Sequence, residues 1–196
     1  MHNHLEMSPP SAWVQRFAGL ISSGTVLDLA CGVGRHARYL AAMGHQVHAL
    51  DRDAQALAQL ATYDGAGATA IFPRQIDLEV PIEQLQWPFV AASLNAIIIT
   101  NYLHRALFPL LLASLADGGF IIVETFAQGN GMFGKPSNPN FLLEPGELIH
   151  IMSQVPSMRI MAYEDGRVLQ PKEAMVQRIC AVKLSSEQEF FRLGLI

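Results

Sequence analysis

Asp28-Leu-Ala-Cys-Gly32-Val-Gly34-Arg35-His-Ala37, followed by Asp51 at the end of the next apolar segment, decides how this chain is read. The first carboxylate lies inside a short apolar strand, residues 25–30. Two glycines then make a tight turn, a helix starts at Arg35, and a second carboxylate stands 19 residues beyond the first glycine. Glycine lets backbone approach a ligand closely, and a helix N-terminus leaves N–H groups free to meet it. A carboxylate ending the second strand can accept hydrogen bonds from both hydroxyls of a ribose. The pattern points to a nucleoside carrying a charged tail.

Working outward, the spacing predicts a helix over residues 11–21, with Trp13, Phe17 and Leu20 on one face. A helix over 35–43 ends at Gly44, a strand covers 46–50, and Asp53 caps a helix running to Thr62. Residues 69–76 read as a strand interrupted by Pro73, which cannot donate to a ladder and so belongs at a sheet edge. Leu94-Asn-Ala-Ile-Ile-Ile-Thr100 is a continuous apolar run suited to a central strand buried on both faces. A helix to Ala116 with Pro109 in its first turn, the turn Asp117-Gly118-Gly119 and a strand over 120–125 follow. Strands alternating with helices imply a parallel sheet covered on both faces.

The pattern then changes. Residues 127–146 hold four glycines, three prolines and three asparagines without periodicity, the composition of a binding loop or lid. A short helix (146–153) and strands over 158–163 and 174–182 come next, with Glu164-Asp165-Gly166 as the turn of an antiparallel pair at the other sheet edge. The tail, 185–196, carries two overlapping capping boxes and the signal for a last helical turn.

Composition bounds the rest. With 196 residues, 51% hydrophobic and 15% charged, the chain suits one ordered domain rather than a disordered segment. The net charge is −4 and the 13 Lys and Arg are scattered, which disfavours a nucleic-acid partner. No apolar run approaches the ~18 residues of a membrane span, and the first ten residues lack a secretory apolar core. Cys31 and Cys180 form no metal-type pair, and the histidines show no ligand spacing. Cytoplasm is the expected compartment and no metal site is expected. Oligomeric state is left open.

Gly32-Val-Gly34-Arg-His-Ala37 also fits the loose G-x-G-x-x-A pattern of a nicotinamide dinucleotide site. Asp28 argues against that reading, because a carboxylate four residues before the first glycine repels a pyrophosphate. The same carboxylate suits a ligand with a sulfonium and an ammonium group. Taken singly, Asp28 could instead serve only backbone N–H groups, Asp51 could be a helix cap, and Asp77 a surface turn.

Asp28-Leu-Ala-Cys-Gly32-Val-Gly34 resembles the first motif of class I S-adenosylmethionine-dependent methyltransferases. Asp51 matches their ribose-binding acid, and Ile76-Asp77-Leu78 matches the position that contacts the adenine. Asn101-Tyr-Leu-His104-Arg105 and the long loop are similar to the tellurite-resistance-like branch. The resemblance covers nearly the whole chain. It implies an α/β, Rossmann-like, seven-stranded and mostly parallel sheet with helices on both faces and an antiparallel last strand. The implied cofactor is S-adenosyl-L-methionine. Gly32 and Gly34 would shape the turn beneath it, Asp28 would hold its ammonium end, Asp51 the ribose, and Asp77 and Leu78 the adenine. Asn101 would offer a carbonyl near the ammonium, Arg35 or Arg16 would pair with the carboxylate, and Ala30 and Arg52 would complete the cofactor contacts.

Methyl transfer from a sulfonium is a displacement in which the protein chiefly orients the partners and excludes water. A base is required only if the acceptor loses a proton as it attacks. Tyr102, His104 and Arg105 follow the fourth strand, and Glu124 ends the fifth. His104 is the candidate base, being able to titrate near neutrality, or else a loop histidine bound to backbone. Arg105 would steer an anionic acceptor or make a surface ion pair, and Glu124 would be a second base or a partner for Arg105. Phe133, Lys135, Phe141 and Leu142 would cover the acceptor. Thr100-Asn101-Tyr102-Leu103 stands where amino methyltransferases acting on bases or glutamine carry Asn-Pro-Pro-aromatic, which disfavours a planar amine acceptor. The leading expectation is methylation of a small molecule or small anion. The alternatives are RNA or protein methylation, a nicotinamide-dependent oxidoreductase, and a cofactor-binding protein without turnover.

Overall fold

The computed structural model describes residues 8–184, so the tail signalled at 185–196 lies outside the described residues. Seven strands form one sheet: β1 (Thr25–Leu29), β2 (Gln46–Asp51), β3 (Ile71–Gln75), β4 (Leu94–Thr100), β5 (Leu115–Phe126), β6 (Met158–Val168) and β7 (Ala174–Lys183). Their order is β3-β2-β1-β4-β5-β7-β6. The first five pair in parallel, and β7 runs antiparallel between β5 and the edge strand β6.

Alternation along the strands sorts the core into two layers. Val26, Val47, Ala49, Ala96, Ile98 and Ile122 face α1 (Ala12–Ala18), α2 (Arg35–Ala42) and α3 (Ala54–Ala61). Leu27, Leu29, Ile97, Ile99 and Val123 face α4 (Phe108–Ser114) and α5 (Glu147–Ser153). Three consecutive isoleucines, 97–99, are each at most 2% exposed, because helices cover β4 on both faces. Asp53 caps α3 as its position predicts, accepting from the N–H groups of Gln55 and Ala56 at 2.9 and 3.1 Å. Pro73 lies in the edge strand β3.

The structure departs from the expected elements in four places, two set by local turns and two by long-range strand pairing. The first helix is shorter than predicted, spanning Ala12–Ala18, because the Ser11 hydroxyl caps it and Gly19 closes it. Residues Ala68–Ala70 form a 3₁₀ turn, so β3 starts at Ile71. The helix after β4 stops at Ser114 because Leu115 already pairs with Leu94, and β5 runs straight through Asp117-Gly118-Gly119. Glu164-Asp165-Gly166 is not a turn but lies within β6, opposite Arg178, Gln177 and Val176. The chain reverses instead at 169–173, around Pro171.

The layering makes a simple stability prediction. Ile98 is fully buried at the centre of the sheet, so Ile98→Ala lowers unfolding free energy by about 2–5 kcal/mol. Val90 is 75% exposed, and Val90→Ala stays within about 0.5 kcal/mol. Urea denaturation of both variants checks the contrast.

Candidate active site

The strand order reverses between β1 and β4, and open α/β sheets bind ligands outside the carboxyl ends of the strands at such a point. A cavity of about 570 Å³ lies there. Its floor is built from strand ends: Ala30 after β1, Asp51 and Arg52 at β2, Ile76 and Leu78 after β3, Asn101 and Tyr102 after β4, and Thr125 and Phe126 of β5. Pro136 and Phe141 of the 127–146 loop contribute to its wall. Ala30 (φ 53°) and Asn101 (φ 56°) are both left-handed, an unusual backbone for residues other than glycine and one that clusters at functional sites.

Asp51 is half-buried, and each carboxylate oxygen is spent once on backbone. Oδ2 accepts from the Gly32 N–H at 2.7 Å and Oδ1 from the Asp53 N–H at 2.9 Å. Two acceptor positions remain free to face the cavity. A Cβ placed on Gly32 would meet nothing within 4 Å, so the surface over that turn is open. Gly34 serves packing instead. It precedes α2 with φ 78°, and a Cβ there would come within 2.5 Å of Leu60.

Asp28 departs from its expected place. It shares the face of β1 with Val26, lies beneath the glycine turn, is 1% exposed and lines neither this cavity nor the one next to it. Its Oδ2 accepts from the Ala37 N–H at 2.9 Å, and its Oδ1 lies 4.0 Å from His36 Nδ1. His36 Nε2 accepts from the Ser11 N–H at 3.1 Å, and Thr100 Oγ1 lies 3.5 Å from Nδ1. Burial pushes the Asp28 carboxyl up to about 7, against the Ala37 N–H and Arg35, which favour the anion. Burial, with Arg35 nearby, pushes the His36 imidazole down to about 3. Asp77 also stays off the cavity wall; it is exposed and accepts from the Glu79 N–H at 3.0 Å, while its neighbours Ile76 and Leu78 line the cavity.

A second cavity, of about 550 Å³, adjoins the first and shares Asn101 and Phe126 with it. Arg35, Glu124, Lys135, Lys172, Glu173 and Arg178 supply its charged groups. Arg35 Nη1 donates to the Pro9 carbonyl at 3.3 Å.

Of the four residues expected near the chemistry, two line these cavities. Tyr102 lines the first and donates to Glu79 Oε1 at 2.7 Å. Burial first, then Glu79, pushes its phenol well above the usual range, so it remains a donor. Glu124 lines the second, with Arg178 Nε 2.6 Å from its Oε2, rather than pairing with Arg105. His104 lines neither cavity. It starts the 3₁₀ turn Arg105–Leu107, and its Nδ1 is buried without a partner among the described residues.

Arg105 is fully engaged elsewhere. Its Nε and Nη2 form a fork on Glu147 at 2.6 and 2.9 Å, Nη1 donates to the Asn140 carbonyl at 2.8 Å, and Nη2 donates to the Leu142 carbonyl at 2.9 Å. Those carbonyls bracket Phe141, so Arg105 fixes a piece of cavity wall rather than facing an anion. Burial would raise the Glu147 carboxyl, but Arg105 and the Glu144 N–H hold it below its usual value.

Several residues escaped sequence reasoning. Asn130 is 2% exposed and ties the loop to the hairpin, donating to the Pro136 carbonyl at 2.9 Å and accepting from the Met175 N–H at 3.1 Å. Buried Gln177 binds the Glu144 carbonyl and accepts from the Leu148 N–H. Nothing local in the sequence marks either. Arg178 opposite Glu124 would follow from the β5–β7 register alone. Both cysteines are free and buried, with burial pushing the Cys31 thiol above its usual range and Cys180 up to about 12, which suits packing rather than reactivity.

A mostly parallel seven-stranded sheet with β7 inserted antiparallel, and a cavity at the β1/β4 divide, define the class I S-adenosylmethionine-dependent methyltransferase fold. Solved structures share it. One from Methanosarcina mazei, described as a SAM-dependent methyltransferase, is 14% identical with a TM-score of 0.63, over 83% of this chain and 93% of that one. TehB from Haemophilus influenzae is 19% identical with a TM-score of 0.65, over 87% of this chain and 61% of its own. The glycopeptide N-methyltransferase MtfA, solved with S-adenosyl-L-methionine, is 17% identical with a TM-score of 0.62, over 92% and 89%. Among curated proteins no sequence matches significantly. The family described as tellurite resistance protein TehB matches residues 1–118, and the chain belongs to that family.

Two predictions follow from these contacts. Arg105→Ala removes the fork and both carbonyl contacts, costs about 1–3 kcal/mol, and speeds proteolytic cleavage within 133–142; unchanged cleavage would show that the loop is held by other means. Asp28 and His36 give opposite pH dependences. A raised carboxyl loses stability for the fold as pH rises from about 4 to about 7, whereas a lowered imidazole loses it as pH falls from 6.5 towards about 3. Relative to the unmodified chain, Asp28→Asn therefore gains stability with rising pH in the first window. His36→Gln gains it with falling pH in the second. Denaturation midpoints from pH 4 to 7 check both signs.

Proposed function

We propose that this chain transfers a methyl group from S-adenosyl-L-methionine to a small-molecule acceptor. One observation carries the reading: Asp51, fixed by two backbone N–H groups, keeps acceptor positions on the cavity at the point where the strand order reverses. The donor set fits the cofactor. In this reading Asp51 holds the ribose hydroxyls, Ile76 and Leu78 sandwich the adenine, and Ala30 and Gly32 lie beneath the sugar and the methionine. The Asn101 carbonyl meets the ammonium and Arg35 the carboxylate, with Arg52 at the outer rim. Asp28 acts indirectly, by holding the first turn of α2 through the Ala37 N–H.

When bound, the cofactor supplies a methyl group activated by a positively charged sulfur. The protein's part is to place an acceptor beside Asn101 and Phe126, where the two cavities meet, and to exclude water. Phe141 and Pro136 form cover from the 127–146 loop. If the acceptor must lose a proton, Glu124 faces the second cavity and can take it, while Tyr102 stays protonated and positions Glu79. The two free, buried thiols accord with a reducing compartment, and we assign the protein to the cytoplasm as one catalytic domain. Among the described residues no helix is long and apolar enough to cross a membrane.

Calorimetry with S-adenosylhomocysteine tests the assignment. Asp51→Ala should weaken binding by roughly tenfold to a hundredfold, the worth of hydrogen bonds to a charged group, and Asp51→Asn by less. Failure of the unmodified protein to bind either S-adenosylmethionine or S-adenosylhomocysteine at millimolar concentration would sink the reading.

A further inference from the structure

The second cavity has its own chemistry, which the methyl donor does not require. Resting on the methyltransferase reading, we propose that the acceptor is an organic anion: an apolar body lying against Phe126, Phe133 and Val176, with a carboxylate, sulfonate or phosphate group reaching Lys135 and Lys172.

Size comes first. At about 550 Å³ the chamber falls within the range of sites that enclose whole organic molecules. A bare inorganic oxyanion would occupy a small part of it, and a desolvated ion needs polar partners on every side. This wall is largely apolar, with Phe126, Phe133, Val168 and Val176 joined by prolines. Such a surface gains by burying carbon, at about 25 cal/mol per Å².

Charge selects the rest. Both carboxylates of the chamber are already paired, Glu124 with Arg178 and Glu173 with Arg167. Lys135 and Lys172 both line the chamber and form no ion pair among the described residues, and the Lys172 ammonium lies close to Gly134, the chain neighbour of Lys135. Two lysines lining one chamber without an ion-pair partner among the described residues favour an anion and repel a cation. The lysines are not on loose chain. Asn130 pins the Pro136 carbonyl beside Lys135 and the Met175 N–H near the base of the hairpin that carries Lys172. Phe133 is held as well, with the Arg167 guanidinium 5.3 Å from its ring centroid.

The test uses protein saturated with S-adenosylhomocysteine, titrated with the aromatic sulfonate 8-anilinonaphthalene-1-sulfonate and followed by fluorescence. Its uncharged analogue, N-phenyl-1-naphthylamine, and sodium sulfate are run beside it. The expected result is saturable one-site binding of the sulfonate that Lys135→Glu/Lys172→Glu weakens by at least about tenfold, equal to about 1.4 kcal/mol. The uncharged analogue should bind more weakly than the sulfonate, and its affinity should not respond to the double variant. Millimolar sulfate should not displace the probe. Absent sulfonate binding, equal affinity for the uncharged analogue, indifference to the double variant, or displacement by sulfate each overturns the proposal. Calorimetry on the same sample separates the two levels. Intact S-adenosylhomocysteine binding with any of these results removes only the organic anion, whereas loss of S-adenosylhomocysteine binding removes the methyltransferase reading beneath it.

Discussion

The chain leaves β1 in one direction across the sheet and β4 in the other, and that divergence is the constraint on which the rest of the site depends. The two connections cannot both cover the space above adjacent strand ends, so a crevice remains there. Each strand is followed directly by a left-handed residue, Ala30 after β1 and Asn101 after β4, and both residues line the crevice. Strain of this kind costs on the order of 1–3 kcal/mol per residue. Here it is supported by central strands that are buried on both faces and paired in register from Val26↔Ala96 to Leu29↔Ile99.

Two aspartates in neighbouring strands show how that geometry divides labour. Asp51 ends β2 beside the crevice, where solvent and ligand can share its lone pairs. Asp28 lies one residue before the end of β1, on the face covered by α2. Burial makes its charge costly, and its partners are an N–H group and an imidazole that burial keeps neutral. The same side chain thus lines a cavity in one place and holds the first turn of a helix in the other. Because His36 also holds the Ser11 N–H, the network joins the glycine turn to the start of α1, and Ser11 is itself part of the second cavity's wall.

What the sequence made legible was whatever depends on near neighbours. The glycine turn, the Asp53 cap, the apolar run of β4 and the edge position implied by Pro73 all rest on local chemistry, and all are present. The failures have a common cause. Glu164-Asp165-Gly166 carries a turn signal, yet cross-strand pairing and the Arg178–Glu164 contact at 3.2 Å keep it extended. Arg105 resembles a free cation until folding brings Glu147 to it from 42 residues away. His104 is the residue type suited to a base, but it starts the 3₁₀ turn after Leu103 and lines neither cavity. Residue type was readable; the partner that uses up a residue was not.

The same logic separates the halves of the 127–146 loop. Its first part is tied to β7 through buried Asn130, and its last part to α5 through Arg105, Glu147 and Gln177. Movement at those ends would strip hydrogen bonds from the buried Asn130 and Gln177 side chains, which is expensive, and would break the Arg105–Glu147 fork. The stretch from Gly131 to Asn138 has exposed or half-exposed side chains; Asn130 donates into it at the Pro136 carbonyl, and the Asn138 side chain accepts from the Asn140 N–H. That stretch carries Phe133 and Lys135. Its side chains are more exposed than those of the two anchored ends, yet Asn130 and the Arg167–Phe133 contact hold it in place, while the Arg105 fork holds the carbonyls on either side of Phe141.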